Sequence, residues 1–194
     1  QEMIQPTIDT LKILLSNPYP TTGKIDIIKW WWCDALFMAP PTLVKLGVTT
    51  GNSDYLKSND KYFKECYDLL YNKNEHLFAR DLNYVVKPDG TGRREANGER
   101  IFWSRGNGWV MGGLVRILKE LPTDYPQRTF YENLFKEMAA RIVSLQQEDG
   151  LWRASLLDPE SYPGGEVSGS GFFCYALAWG VNNKLLDKKS YLPA

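Results

Sequence analysis

Histidine is almost missing from this chain of 194 residues; His76 is the single one. That leaves little room for a Ser-His-Asp or Cys-His mechanism. Cysteine is scarce too. Cys33, Cys66 and Cys174 are odd in number and far apart, with no CxxC or Cys/His spacing, which speaks against a disulfide framework and a structural zinc site. Lys plus Arg and Asp plus Glu stand at 23 each with no run of one sign, so the basic stripe of a nucleic-acid binder is absent. No apolar run approaches the roughly 18 residues of a membrane span. The stretch Gln1-Glu2-Met3-Ile4-Gln5 lacks signal-peptide character. Neither a metal nor a cofactor is expected, and any chemistry falls to carboxylates and arginines.

Aromatic residues, by contrast, are abundant, with 7 Trp and 11 Tyr. Flat rings with polar edges suit carbohydrate sites, and they suit large cores equally. The sharpest cluster is Trp30-Trp31-Trp32-Cys33-Asp34, followed by the apolar run Ala35 to Pro41. Neighbouring side chains point in different directions, so no single face buries three adjacent indoles, and at least one should line a cavity. A carboxyl beside such a wall is partly desolvated, which favours its neutral, proton-donating form. Asp34 is thus a candidate general acid, and Trp32 a candidate wall. The plainer alternative makes Asp34 a helix cap in an aromatic core segment.

Helical periodicity predicts a helix over 6–16, a loop from Asn17 to Gly23, and a helix from Asp34 to about Leu46 that Pro40-Pro41 must kink or restart. Further helices are expected over 54–72, 107–121, 127–147 and 168–186. The segment 77–103 reads as an extended region, with a hairpin joining 77–86 to 101–103. Clusters centred on Asp34, Arg105 and Ser168 recur at intervals of 71 and 63 residues, each opening a small-residue or apolar helix. Alternating inner and outer helices at that period predict an all-α fold, an incomplete α/α toroid in one domain spanning 1–194.

The second cluster is Phe102-Trp103-Ser104-Arg105-Gly106-Asn107-Gly108-Trp109. A cation just before a helix opposes the macrodipole unless an anion compensates, so Arg105 is a candidate anion ligand and Trp109 a candidate stacking ring. A structural carboxylate paired with Arg105 is the alternative. Arg80, beside Asp81, is a second candidate guanidinium; a surface pair with Asp81 or Glu75 would explain it as well. In Pro163 to Phe173, Glu166 is a candidate partner for sugar hydroxyls, while Ser168 and Ser170 are expected to cap. His76, at an expected helix end, reads as structural.

With these clusters together, the chain resembles glycoside hydrolase families 88 and 105, the unsaturated glucuronyl and rhamnogalacturonyl hydrolases. The matching stretches are Trp32 to Pro40, Leu77-Phe78-Ala79-Arg80-Asp81, Phe102 to Trp109, and Glu166 through Phe172-Phe173 to Ala176. The resemblance implies an (α/α)6 barrel of which this chain is roughly the middle-to-late half, in a bacterial cytoplasmic or periplasmic setting. It implies hydration of the C4=C5 bond of unsaturated uronic-acid oligosaccharides, such as those derived from pectin or rhamnogalacturonan. Asp34 would be acid and then base, Arg80 and Arg105 would hold the uronate, and Trp109 would pack on the ring. Many relatives carry a histidine at the position of Arg80, and a second family aspartate falls outside this chain. A non-catalytic glycan-binding module and a structural helical repeat are the rival readings.

Overall fold

A computed structural model describes residues 2–16 and 30–194; the expected loop at Asn17 to Gly23 lies outside the described residues. The elements are α1 (Gln5–Ser16), α2 (Ala35–Met38), α3 (Pro40–Thr50), α4 (Ser53–Leu70), β1 (Tyr71–Asn72), β2 (Leu77–Phe78), α5 (Ser104–Glu120), α6 (Arg128–Val143), α7 (Val167–Asn182) and α8 (Lys188–Tyr191). Among the described residues no helix is long and apolar enough to cross a membrane.

Each boundary has a local cause. Pro40 and Pro41 cannot donate backbone hydrogen bonds, so α2 stops and α3 restarts beyond Ala39 with proline in its first turn. Gly51 ends α3 in the left-handed region at φ 71°, and the Asn52 side chain then caps α4 by accepting from Asp54 N–H. Outer helices α4 and α6 are clamped through buried polar groups. Asn59 Nδ2 donates to the Tyr131 hydroxyl at 2.9 Å, and the hydroxyls of Tyr125 and Tyr131 both donate to Asp60.

Helix α5 is the centre of the fold. It packs against α2, α3, α6 and α7, while α3 also packs against α4. Its buried residues, from Gly106 and Asn107 to Val110, Met111 and Leu114, cover most of its circumference, and a single stripe that includes Arg105, Trp109, Arg116 and Glu120 stays at least partly exposed. Helices α2–α3, α5 and α7 form the inner layer and α4 and α6 the outer one. The repeat read from the sequence is therefore present as part of an α/α toroid.

Small residues set how closely the inner helices approach. A Cβ at Gly106 would lie 3.0 Å from Cys33 Sγ, and one at Gly113 would strike the Leu36 carbonyl on α2. Next to it, a Cβ at Gly112 would lie 2.9 Å from the Phe172 ring of α7 and 3.2 Å from the Phe37 ring of α2. The two prolines complete this fit. Lacking N–H groups, Pro40 and Pro41 leave the Leu36 and Phe37 carbonyls without helical donors. Phe37 O accepts from Arg116 Nη1 at 3.3 Å, and Leu36 O lies in the gap over Gly113.

The short hairpin is present, but its partner differs from the expected one. Tyr71 pairs with Phe78 and Asn72 with Leu77, because the turn at 73–76 folds β2 directly back on β1. His76 sits in that turn at φ 52°, with Nδ1 3.1 Å from the Tyr71 hydroxyl. Residues 102–104 instead lie beside 154–156, where Ser104 N–H donates to Ala154 O and Leu156 N–H to Phe102 O, both at 2.9 Å.

The helix contacts generate a paired prediction. Gly113→Ala should lower stability by about 1–3 kcal/mol, since the obstructing atoms are backbone. Gly171→Ala, on α7 where an added methyl meets nothing, should leave stability unchanged or raise it by up to about 1 kcal/mol. Urea unfolding of the chain, followed by circular dichroism, reads both.

Candidate active site

The three inner-helix starts come together around Cys33. Its N–H donates to Arg80 O at 2.8 Å, beside a bridge between Trp32 and Asp81. Its Sγ faces Gly106, next to Arg105. It precedes Asp34 in the chain. The start of α7 joins them, because a Cβ at Gly169 would strike the Ser104 hydroxyl at the head of α5. Asp34, Arg80 and Arg105, dispersed in sequence, are thereby all linked to Cys33: Asp34 as its neighbour in the chain, Arg80 through its carbonyl, and Arg105 through the adjacent Gly106.

The tryptophan triplet splits as adjacent side chains must. Trp30 is buried against Tyr62 with ring centroids 5.5 Å apart, Trp31 is exposed, and Trp32 is half-buried, 4.6 Å from the Trp31 ring. Asp34 is half-buried at the head of α2, and its side chain makes no cap hydrogen bond, so the plain capping alternative fails. The Cys33 thiol instead donates to Asp34 Oδ2 at 3.5 Å. Burial, then the Asp34 carboxylate, push that thiol well above the ordinary cysteine range.

Arg105 lies within the first turn of α5 rather than before it, because Trp103 takes the cap position. Trp103 supplies no side-chain cap hydrogen bond. Among the described residues Arg105 forms no ion pair. Its guanidinium lies over the Trp103 ring, 4.1 Å from the centroid, and is solvent-exposed. At the helix head Ser104 N–H donates to Ala154 O and Asn107 N–H to Trp103 O, so among the described residues it is the Arg105 and Gly106 N–H groups that stand without an acceptor beside an unneutralised cation.

Arg80 is more constrained. Its Nε donates to Asp81 Oδ2 at 3.0 Å, and its guanidinium stands 5.4 Å from the Tyr84 ring. The Asp81 side chain is almost wholly buried and also accepts from Asn83 N–H at 2.8 Å. Glu75 pairs with Arg141 instead, at 2.7 Å. Trp109 sits one turn beyond Arg105, half-buried in a triplet with Phe37 at 4.7 Å and Phe172 at 4.5 Å.

Glu166 is the correction in the third cluster. It caps α7: Ser168 N–H, Gly169 N–H and the Ser168 hydroxyl all donate to its carboxylate. Ser168 and Ser170 are not the caps. A carboxylate two residues ahead of Ser168 is the stronger acceptor at a helix start, and the Ser170 hydroxyl accepts from Trp152 N–H at 3.0 Å.

Asn107 is the positioning residue that sequence reasoning passed over. Fully buried, it accepts from Phe78 N–H at 2.8 Å and donates Nδ2 to Phe78 O at 3.1 Å, acting as a partner strand for β2. Nδ2 also donates to Trp103 O at 3.0 Å. This ties the Arg80–Asp81 segment to the head of α5. An asparagine inside a helix, where it is unfavourable without a side-chain task, was the available signal. Beside these groups opens a cavity of about 290 Å³, bounded by Arg80, Tyr84, Ile101, Trp103, Ser155 and Tyr162. No cluster of potential metal ligands occurs among the described residues.

Comparison with known proteins matches the chain to a family model and to several relatives. The model of Glycosyl Hydrolase Family 88 matches residues 1–194. The chain is 59% identical over 167 residues to an unsaturated 3S-rhamnoglycuronyl hydrolase from Formosa agariphila, covering 86% of this chain and 44% of that protein. It is 38% identical over 207 residues to a protein of the same name from Alteromonas sp., covering 98% and 48%. A glycosyl hydrolase family 88 structure from Bacteroides vulgatus superimposes at TM-score 0.87 with 35% identity, over 98% of this chain and 51% of that one. A family 105 structure from C. acetobutylicum, at TM-score 0.75 and 19% identity, shares the fold over 97% of this chain and 54% of that one. The chain spans about half the length of the curated relatives it matches.

Two outcomes follow from the site's construction. Asn107→Ala strands the buried Phe78 N–H and C=O, so unfolding in urea should show a loss of about 2–4 kcal/mol. Thiol labelling at pH 8 should modify exposed Cys174 quickly in the native chain. Cys33 and Cys66 should react only after denaturation, since burial pushes Cys66 up to about 12 and Cys33 well above its ordinary value.

Proposed function

Because the chain belongs to glycosyl hydrolase family 88, we propose that the whole protein of which it forms a part hydrolyses oligosaccharides ending in an unsaturated uronic acid. The observation that carries the reading is the head of α5. Its amides lack a side-chain cap, its Arg105 has no carboxylate partner among the described residues, and Cys33, next to Asp34, packs on its Gly106. An anionic uronate would satisfy the amides and guanidinium together.

In this reading Asp34 delivers a proton to C4, leaving positive charge shared between C5 and the ring oxygen. Water adds at C5 and returns a proton to the Asp34 carboxylate. The resulting hemiketal opens as the bond between C5 and the ring oxygen breaks, and the anomeric carbon then releases the second sugar as its free alcohol. One water is consumed, and the acid is restored. Arg105 and Arg80 hold the uronate carboxylate, while Trp32 and Trp109 supply apolar walls for its ring. Glu166 contributes by fixing the start of α7, since its oxygens already accept three donors. The names of the two curated relatives favour rhamnoglycuronyl units among the uronides.

Full-length protein should bleach the ultraviolet absorbance of the conjugated uronate in lyase-digested polysaccharide. Asp34→Asn should lower kcat by about 10²–10⁴-fold while substrate still binds. An Asp34→Asn protein that retains more than about a tenth of turnover would remove Asp34 from the acid role. Unchanged absorbance with every unsaturated disaccharide would overturn the activity itself.

A further inference from the structure

We infer that Cys33 is a positioning residue for the acid: its thiol donates to Asp34 Oδ2 and so reserves Oδ1 for the proton that is delivered to C4. This rests on the proposed activity and adds how its acid is held. The Asp34 side chain is half-buried and caps nothing, and among the described residues the Cys33 thiol, at 3.5 Å, is the single donor to its carboxyl group. A carboxyl held at one oxygen no longer turns freely about its Cβ–Cγ bond. An acid whose reacting oxygen is already aimed gives up less freedom on reaching the transition state. Because the S–H group occupies Oδ2, the carboxyl's own proton resides on Oδ1.

The thiol is itself firmly seated. Cys33 N–H donates to Arg80 O at 2.8 Å and Cys33 O accepts from Leu36 N–H at 3.0 Å, so both backbone groups are fixed. The side chain is fully buried and faces Gly106, where an added Cβ would come within 3.0 Å of Sγ and 3.1 Å of Trp103 Cε3. Sulfur suits this place. A thiol packs as a small apolar group, so its burial here avoids the desolvation that a hydroxyl would suffer. Its bond is long enough to span 3.5 Å, a gap at which a hydroxyl, which prefers about 2.7–2.8 Å, falls short. Burial, then the Asp34 carboxylate, keep the thiol protonated well beyond the ordinary cysteine range, so it remains a donor. Cys66, the other fully buried thiol, makes no hydrogen bond to Asp34 among the described residues and provides a control.

The test uses full-length protein and an unsaturated uronyl disaccharide. Cys33→Ala should lower kcat about tenfold with KM within about twofold of wild type, because the acid is misdirected while the substrate contacts remain. Cys33→Ser, a donor on a shorter arm, should recover about threefold of that loss. Cys66→Ala should leave kcat unchanged. The contact itself is read without turnover. The infrared S–H stretching band of Cys33, isolated by subtracting the spectrum of the matching Cys33→Ser variant, should move to higher wavenumber in Asp34→Ala, where the acceptor is gone. In active protein, a band that does not move would overturn the positioning role and leave the activity standing. So would a Cys33→Ala kcat above about half of wild type, a Cys33→Ser kcat no better than that of Cys33→Ala, or an equal loss in Cys66→Ala. If wild-type protein turns over no unsaturated disaccharide, the activity falls and the role falls with it.

Discussion

The site depends on one side-chain amide. Asn107 presents to Phe78 the acceptor and donor that a neighbouring strand would present, from inside the first turn of a helix. A helix cannot ordinarily pair with a strand, because its backbone groups are consumed internally. The asparagine removes that obstacle and so lets a two-residue strand dock end-on against α5. Arg80 and Asp81, next in the chain, inherit their positions from that docking. The pair of bonds is buried, where the alternative is two orphaned backbone groups rather than two hydrated ones. Its geometry is correspondingly rigid.

Around that tie, the inner helices approach at backbone distance. The prolines after α2 expose two carbonyls; Gly113 of α5 leaves room for that of Leu36 and Arg116 of α5 bonds that of Phe37, so an irregularity on one helix and the residues its neighbour presents are a single fit. The consequence reaches the chemistry. Cys33 sits over Gly106 because of that approach, and from there its thiol reaches the Asp34 carboxylate. A residue larger than glycine at 106 would displace the thiol, and with it the group that orients the carboxylate.

Much of this was readable from the chain alone, for identifiable reasons. Proline and helical periodicity are local signals, and they located the break at Pro40-Pro41 and the long helix α4. That Trp30, Trp31 and Trp32 cannot share one face follows from backbone geometry, while which ring is buried and which exposed is set by the tertiary fold. What escaped were choices between equally good local partners. The strand at Leu77 could turn back on Tyr71 or forward to Ile101, and only the tight turn at 73–76, with His76 in a left-handed conformation, decides it. Glu166, Ser168 and Ser170 all suit a helix start; the carboxylate takes the cap and leaves Ser170 for Trp152. The partner of Arg80 was likewise open between Asp81 and Glu75 until Arg141 is seen to claim the latter.

Arg105 stands on the face of Trp103 before any ligand arrives. A long, flexible side chain normally surrenders several rotamers when it grips an anion, and that loss subtracts from affinity. Here the indole has already confined the guanidinium plane, and the ring does so without claiming any of its five N–H donors. An incoming carboxylate thus meets a fork that is oriented yet unpaired among the described residues, and association should depend more on desolvating the mouth than on ordering the arginine.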